Sequence, residues 1–140
     1  YVRIQKWFEF NQPKNAMLIN NLPKLEYDKL LSVCDVGLIF LNPNFTIPNY
    51  PSRLLSYLEM KLPVIAATDI HTDIGKDIED YECGFSVISG NSNDMEIAID
   101  KVITSLNTSD SIKNNAYKLL IEKFNINKSS ELILNATSNN

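Results

Sequence analysis

The chain has 140 residues, 44% of them apolar and 21% charged. That composition belongs to a globular chain with enough apolar surface to bury a core, and it excludes collagen-like, disulfide-rich and disordered classes. Thirteen basic against seventeen acidic residues leave a net charge of −4, which lacks the basic footprint of a nucleic-acid binder, so nucleic acid is not an expected partner and any anion must be held locally.

The longest apolar runs, such as 36–41, fall far short of the roughly 18 to 20 residues of a membrane span, so no transmembrane segment is expected. Cys34 and Cys83 are too few for a disulfide framework and lack metal-ligand spacing, and His71 is the single histidine. A zinc site or a Ser-His-Asp triad confined to this chain is therefore not expected, and a reducing compartment is. The chain opens on Tyr1 rather than Met, without a signal peptide, and is expected to be a piece of something longer.

In chain order, Ile4, Trp7 and Phe8 fall at helical spacing and Pro13 stops them, which predicts a first helix. Four short runs rich in Val, Ile, Leu and Phe follow at 16–20, 36–41, 63–68 and 84–88, and each reads as a buried strand. Between them lie amphipathic stretches at 26–34, with Tyr27, Leu30 and Leu31 on one side, at 52–61 and at 75–81. Alternating strand and helix, with continuous rather than period-two strands, predicts an α/β fold: a parallel Rossmann-like sheet with helices on both faces. Met95, Ala98, Ile99, Val102, Ile103 and Leu106 then form the stripe of a packed helix, broken at 107–110. A further helix is expected over 111–124, using Ile112, Ala116, Leu119, Leu120 and Phe124, and a weaker one over 127–136. One domain over 1–136 is expected, with a frayed tail at 137–140. The sequons at Asn44, Asn107, Asn127 and Asn135 arise easily in a chain rich in Asn, Ser and Thr and carry no weight.

Ligands of open parallel sheets bind beyond the carboxyl ends of the strands, so the loops after Asn20, Leu41, Thr68 and Ile88 are the ones to inspect. The loop after Leu41 holds Pro43, Pro48 and Pro51 and delivers the chain into the helix beginning at Arg53. Free N–H groups and the positive dipole end make such a start an anion site, which Ser52 can cap and Arg53 can reinforce with a charge-assisted contact. Pro51-Ser52 is also the chemistry of any ordinary helix start. Leu54, Leu55, Leu58 and Met60 read as core, and Glu59 as a solvated residue. Asp35 lies at the amino end of its strand, away from ligand. Asp69, His71 and Asp73 follow a strand on the ligand side, where a role near a sugar or acceptor competes with that of bystander.

The string PSRLLSYLEMKLPVIAATD, preceded by LEYDKLLSVCDVGLIFL and followed by Cys83-Gly84 and Gly90-Asn91, resembles the nucleotide-sugar-binding half of retaining glycosyltransferases of the GT-B fold, and among them enzymes that build bacterial surface polysaccharides. The likeness runs over 15–124 and is most specific over 48–68. It implies a partial Rossmann-like C-terminal domain whose first strand-helix units are absent. It also implies a site made of Pro48, Asn49, Tyr50, Pro51, Ser52, Arg53 and Ser56 that holds a nucleotide-diphosphate sugar, with UDP-sugar as the expected donor.

Lys61 stands where the family commonly has glycine in its "G-x-P-V-I-A" strand. The family's paired glutamates map onto Pro48 and Ser56, so neither carboxylate is present, and Ser56 would meet the ribose with a hydroxyl. The family's diphosphate-neutralising Arg and Lys precede this chain, and no residue of it is assigned as catalytic. The resemblance further implies a saccharide or lipid-linked acceptor held by a missing N-terminal domain, and no metal or cofactor. It implies a cytoplasmic protein, at the inner face of the membrane in its full-length form, and a fragment that does not turn over alone. The competing reading is a non-catalytic α/β interaction domain whose helices over 94–124 dock a partner.

Overall fold

The computed structural model describes residues 2–44, 50–125 and 130. The chain separates into two compact units, Tyr1–Leu30 and Leu31–Asn140. The first contains helix α1 (Val2–Asn11) and nearly all of α2 (Lys24–Leu31). α1 ends where Gln12 adopts a φ of 42° and returns its N–H to the Phe8 carbonyl at 2.9 Å. Ile4, Trp7 and Phe10 are exposed, and no residue of α1 is buried.

α2 begins two residues before the predicted stretch because Pro23 opens it, its carbonyl accepting the N–H groups of Glu26 and Tyr27 at 3.0 Å. The strand expected at 16–20 is not formed: the segment has no regular structure and Met17 is 81% exposed. A strand needs a neighbour to take its hydrogen bonds, and a four-residue apolar run between Asn15 and Asn20 does not supply one.

The second unit alternates β1 (Gly37–Phe40), α3 (Arg53–Glu59), β2 (Val64–Thr68), α4 (Ile74–Asp80) and β3 (Gly84–Ile88), then adds α5 (Ser92–Thr108) and α6 (Ser111–Lys123). Each crossover contains a helix, which is the connection parallel strands require. The sheet is accordingly parallel, in the order β1-β2-β3, with Gly37 opposite Val64 and Val64 opposite Gly84. The fold is α/β: an open three-stranded parallel sheet flanked by helices, Rossmann-like. The strands predicted at 36–41, 63–68 and 84–88 are thus present.

Because successive side chains of a strand point to opposite faces, the central strand feeds two cores. Val64 and Ala66 join Ile39 beneath α3, α4 and α6, with Leu54, Leu58, Ile74, Ile78, Ala116 and Leu119. Ile65 and Ala67 join Val87 on the other face, beneath Ala98 and Val102 of α5. All five residues of β2 are buried, which is why its sequence is apolar without alternation from Val64 to Ala67.

α3 and α4 end in the same way. Leu62 N–H reaches the Tyr57 carbonyl and Lys61 N–H the Leu58 carbonyl; Cys83 N–H reaches Ile78 and Glu82 N–H reaches Glu79, all within 3.0 Å. This paired pattern is the Schellman closure, whose turning residue is left-handed. Lys61 (φ 56°) and Glu82 (φ 50°) occupy that place. Both residues hold a conformation that glycine would adopt without strain.

α5 starts earlier than its apolar stripe, at Ser92, because the Asn91 side chain caps it by accepting the Asp94 N–H at 3.2 Å. The expected weak helix over 127–136, apart from the single residue Ser130, and the tail at 137–140 lie outside the described residues.

Candidate functional site

The carboxyl ends of the three strands bring together the loop after β1, the 69–73 turn after β2 and the 89–91 turn after β3. Ser89 ties two of them together, its hydroxyl donating to the Leu41 carbonyl at 2.7 Å and its N–H to Thr68 at 2.8 Å. Gly90 follows at a φ of 95°, with open space where a Cβ would stand, so conformation rather than room calls for glycine there.

Of the residues proposed from sequence, Pro48 and Asn49 lie outside the described residues. Tyr50, Pro51, Ser52, Arg53 and Ser56 follow one another into α3 at the carboxyl end of β1. Ser52 occupies the N-cap position with helical angles, φ −55° and ψ −27°, and its side chain caps nothing. The expected cap is missing because a capping hydroxyl reaches back only from an extended backbone. The first turn closes tightly instead, with Leu54 N–H on the Pro51 carbonyl at 2.9 Å and Leu55 N–H on the Ser52 carbonyl at 3.2 Å. Among the described residues the Ser52 hydroxyl makes no capping bond.

Arg53 is exposed and pairs with no carboxylate among the described residues. Ser56, one turn on, is half-buried. Leu54 and Leu58 are core as expected, and Met60 is half-buried. Leu55 is 38% exposed and belongs to the surface instead, because it points about 60° beyond Leu58 on the helix circumference, outside the arc that Leu54 and Leu58 bury.

Tyr50 is engaged in a cluster that the sequence did not disclose. Its hydroxyl donates to Asp77 Oδ2, Lys123 Nζ donates to Asp77 Oδ1, and the ring meets Phe124 edge-on at 5.7 Å. Burial, then the neighbouring Asp77 carboxylate, push the Tyr50 phenol up, and the bond to Asp77 pushes the Lys123 ammonium up, so both keep their protons at neutral pH.

Asp69 is likewise occupied. Its Oδ1 accepts the His71 N–H at 2.7 Å and its Oδ2 the Thr72 hydroxyl at 2.6 Å, and the Thr72 bond leads in holding its carboxyl below the usual carboxylate range. Its work is to close the turn. His71 and Asp73 are exposed on the same turn. Asp35 and Glu59 are exposed as well, at the amino end of β1 and the end of α3.

On the α5 face of the carboxyl end lies a groove of about 350 Å³ lined by Phe40, Ala67, Val87, Ile88 and Met95 together with the 90–92 turn. The groove lined by Glu79, Glu82, Phe85 and Asn115 is at the amino end of β3, where a ligand of this fold does not bind. Among the described residues no group of three His, Cys, Asp or Glu could hold a metal ion, and no helix is long and apolar enough to cross a membrane. Comparison of the chain with protein-family models, curated proteins and solved structures gives no match.

Proposed function

We propose that this chain is the donor-binding half of a glycosyltransferase, of the retaining GT-B kind that builds bacterial surface polysaccharides, and that it holds a nucleotide-diphosphate sugar, UDP-sugar by preference. The observation that carries the reading is the start of α3: an exposed arginine without a carboxylate partner among the described residues, beside a serine whose hydroxyl does not cap the helix, at the carboxyl end of a parallel strand. The sheet supports it, since sequentially ordered parallel strands with helical crossovers build each half of a doubly wound sheet, whose ligands bind outside the carboxyl ends of the strands.

In this reading Arg53 and the Ser52 hydroxyl meet the diphosphate, and Ser56, on the next turn, meets the ribose. As the glycosidic bond to the donor breaks, negative charge grows on the leaving diphosphate, and a fixed guanidinium stabilises it without metal or proton transfer. The acceptor, a saccharide or lipid-linked glycan, would be held by a separate N-terminal domain, and the enzyme would work in the cytoplasm at the inner membrane face.

Thermal denaturation with UDP, UDP-sugars and uridine tests the reading. A donor site is stabilised by RT ln(1 + [L]/Kd) and prefers the diphosphate over the nucleoside. The competing reading, a non-catalytic interaction domain, draws on exposed Leu38 and Phe40 along β1. It predicts no shift with any of these ligands.

A further inference from the structure

The proposed donor site has one element that nothing in its chemistry demands, the Tyr50–Asp77–Lys123 cluster. Asp77 is 7% exposed, and a carboxylate so buried is tolerated only when its oxygens are satisfied and its charge is matched. Tyr50 and Lys123 take one oxygen each, and Phe124 closes the edge of the Tyr50 ring. The three residues come from three separate places: the end of the loop after β1, the first turn of α4 and the last turn of α6. Tyr50 is joined to Arg53 by only Pro51 and Ser52. Proline fixes its own φ and restricts the residue before it. A ring pinned at Tyr50 therefore sets the direction in which the chain enters α3.

We propose that Tyr50, Asp77 and Lys123 are positioning residues: they lock the end of the β1 loop to α4 and α6 and so hold Arg53 in register with the donor diphosphate. The inference rests on the donor reading of α3. It gives Tyr50 a different part from the one its place in the motif implies, since its hydroxyl is spent on Asp77 rather than offered to ligand.

The test compares UDP binding by the unsubstituted protein with Tyr50→Phe, which keeps the ring against Phe124 and deletes the donor, and with Lys123→Met and Lys123→Arg. Val102→Ala, in the core on the opposite face of the sheet, serves as a control that lowers the melting temperature without touching the cluster. Losing a hydrogen bond to a charged group should weaken UDP about tenfold in Tyr50→Phe and Lys123→Met, with affinity recovered in Lys123→Arg. Val102→Ala should melt lower and bind UDP unchanged. Equal affinity in all variants, or a loss in Val102→Ala that follows melting temperature as the others do, overturns the proposal.

If the unsubstituted protein binds no UDP, the donor reading fails by itself, and hydrogen exchange at the Leu54 and Leu55 amides, which close the first turn of α3, judges the lock alone. Faster exchange in Tyr50→Phe and Lys123→Met than in Val102→Ala supports a lock, and equal rates reject it.

Discussion

The two edges of the sheet are finished differently. Along β3, the Ser86 N–H is taken by Glu79 Oε1 at 3.2 Å, the Ile88 carbonyl by the Asn91 N–H at 3.0 Å, and Lys101 stands 5.8 Å from the Phe85 ring centroid. Along β1, the Tyr57 hydroxyl reaches the Leu38 carbonyl at 3.2 Å, while Leu38 (40%) and Phe40 (61%) stay exposed on the face that α5 covers farther along. The difference is one of degree: each edge has a strand polar group taken by a side chain, but β1 leaves two large apolar side chains uncovered and β3 leaves Ile88, 47% exposed. The less covered side is where the proposed donor loop leaves the sheet.

The largest test of that contrast is Gly84→Ala. A Cβ there would overlap the Val64 carbonyl, which is backbone and cannot yield. We expect a loss of about 3 kcal/mol or more in urea denaturation, or no folded protein at all. Glu79→Ala should open the β3 edge by removing the acceptor of the Ser86 N–H, at about 1 kcal/mol, with self-association rising in sedimentation. Lys61→Gly relieves left-handed strain worth about 1 to 2 kcal/mol, against loss of the Lys61 contact 5.3 Å from the Tyr117 ring centroid. That contact contributes about 0.5 to 1 kcal/mol at an exposed site. The net expectation is a small rise in melting temperature. Smallest of all, Phe40→Ser should move stability by no more than about 0.5 kcal/mol, because an exposed side chain on an open edge holds little together. A large loss there would mean that the β1 edge is packed after all.

Much of the scaffold was legible in the sequence because it depends on local pattern. The runs at 36–41, 63–68 and 84–88 became strands, and helix-length segments between them forced parallel pairing. The run at 16–20 is likewise apolar from Ala16 to Ile19, yet strand formation depends on a neighbour that composition does not reveal. Lys61 and Glu82 close their helices in a conformation that favours glycine, so the signal that marks such turns was absent. At the site, the loop-to-helix passage and Arg53 could be located from proline and serine placement. Tyr50, Asp77 and Lys123 could not be joined, since 27 and 46 residues separate the partners of Asp77. A buried acid within the amphipathic stretch 75–81 announces that it needs partners but not which ones.

The central claim is that the start of α3 binds a diphosphate, and calorimetric titration of UDP and uridine into the protein and its Arg53→Ala variant tests it most directly. The account predicts that the unsubstituted protein prefers UDP, and that Arg53→Ala weakens UDP by about 1.5 to 3 kcal/mol, the scale of a charge-assisted hydrogen bond, while uridine binding changes little. Equal losses for UDP and uridine, or no UDP binding by the unsubstituted protein, would contradict it.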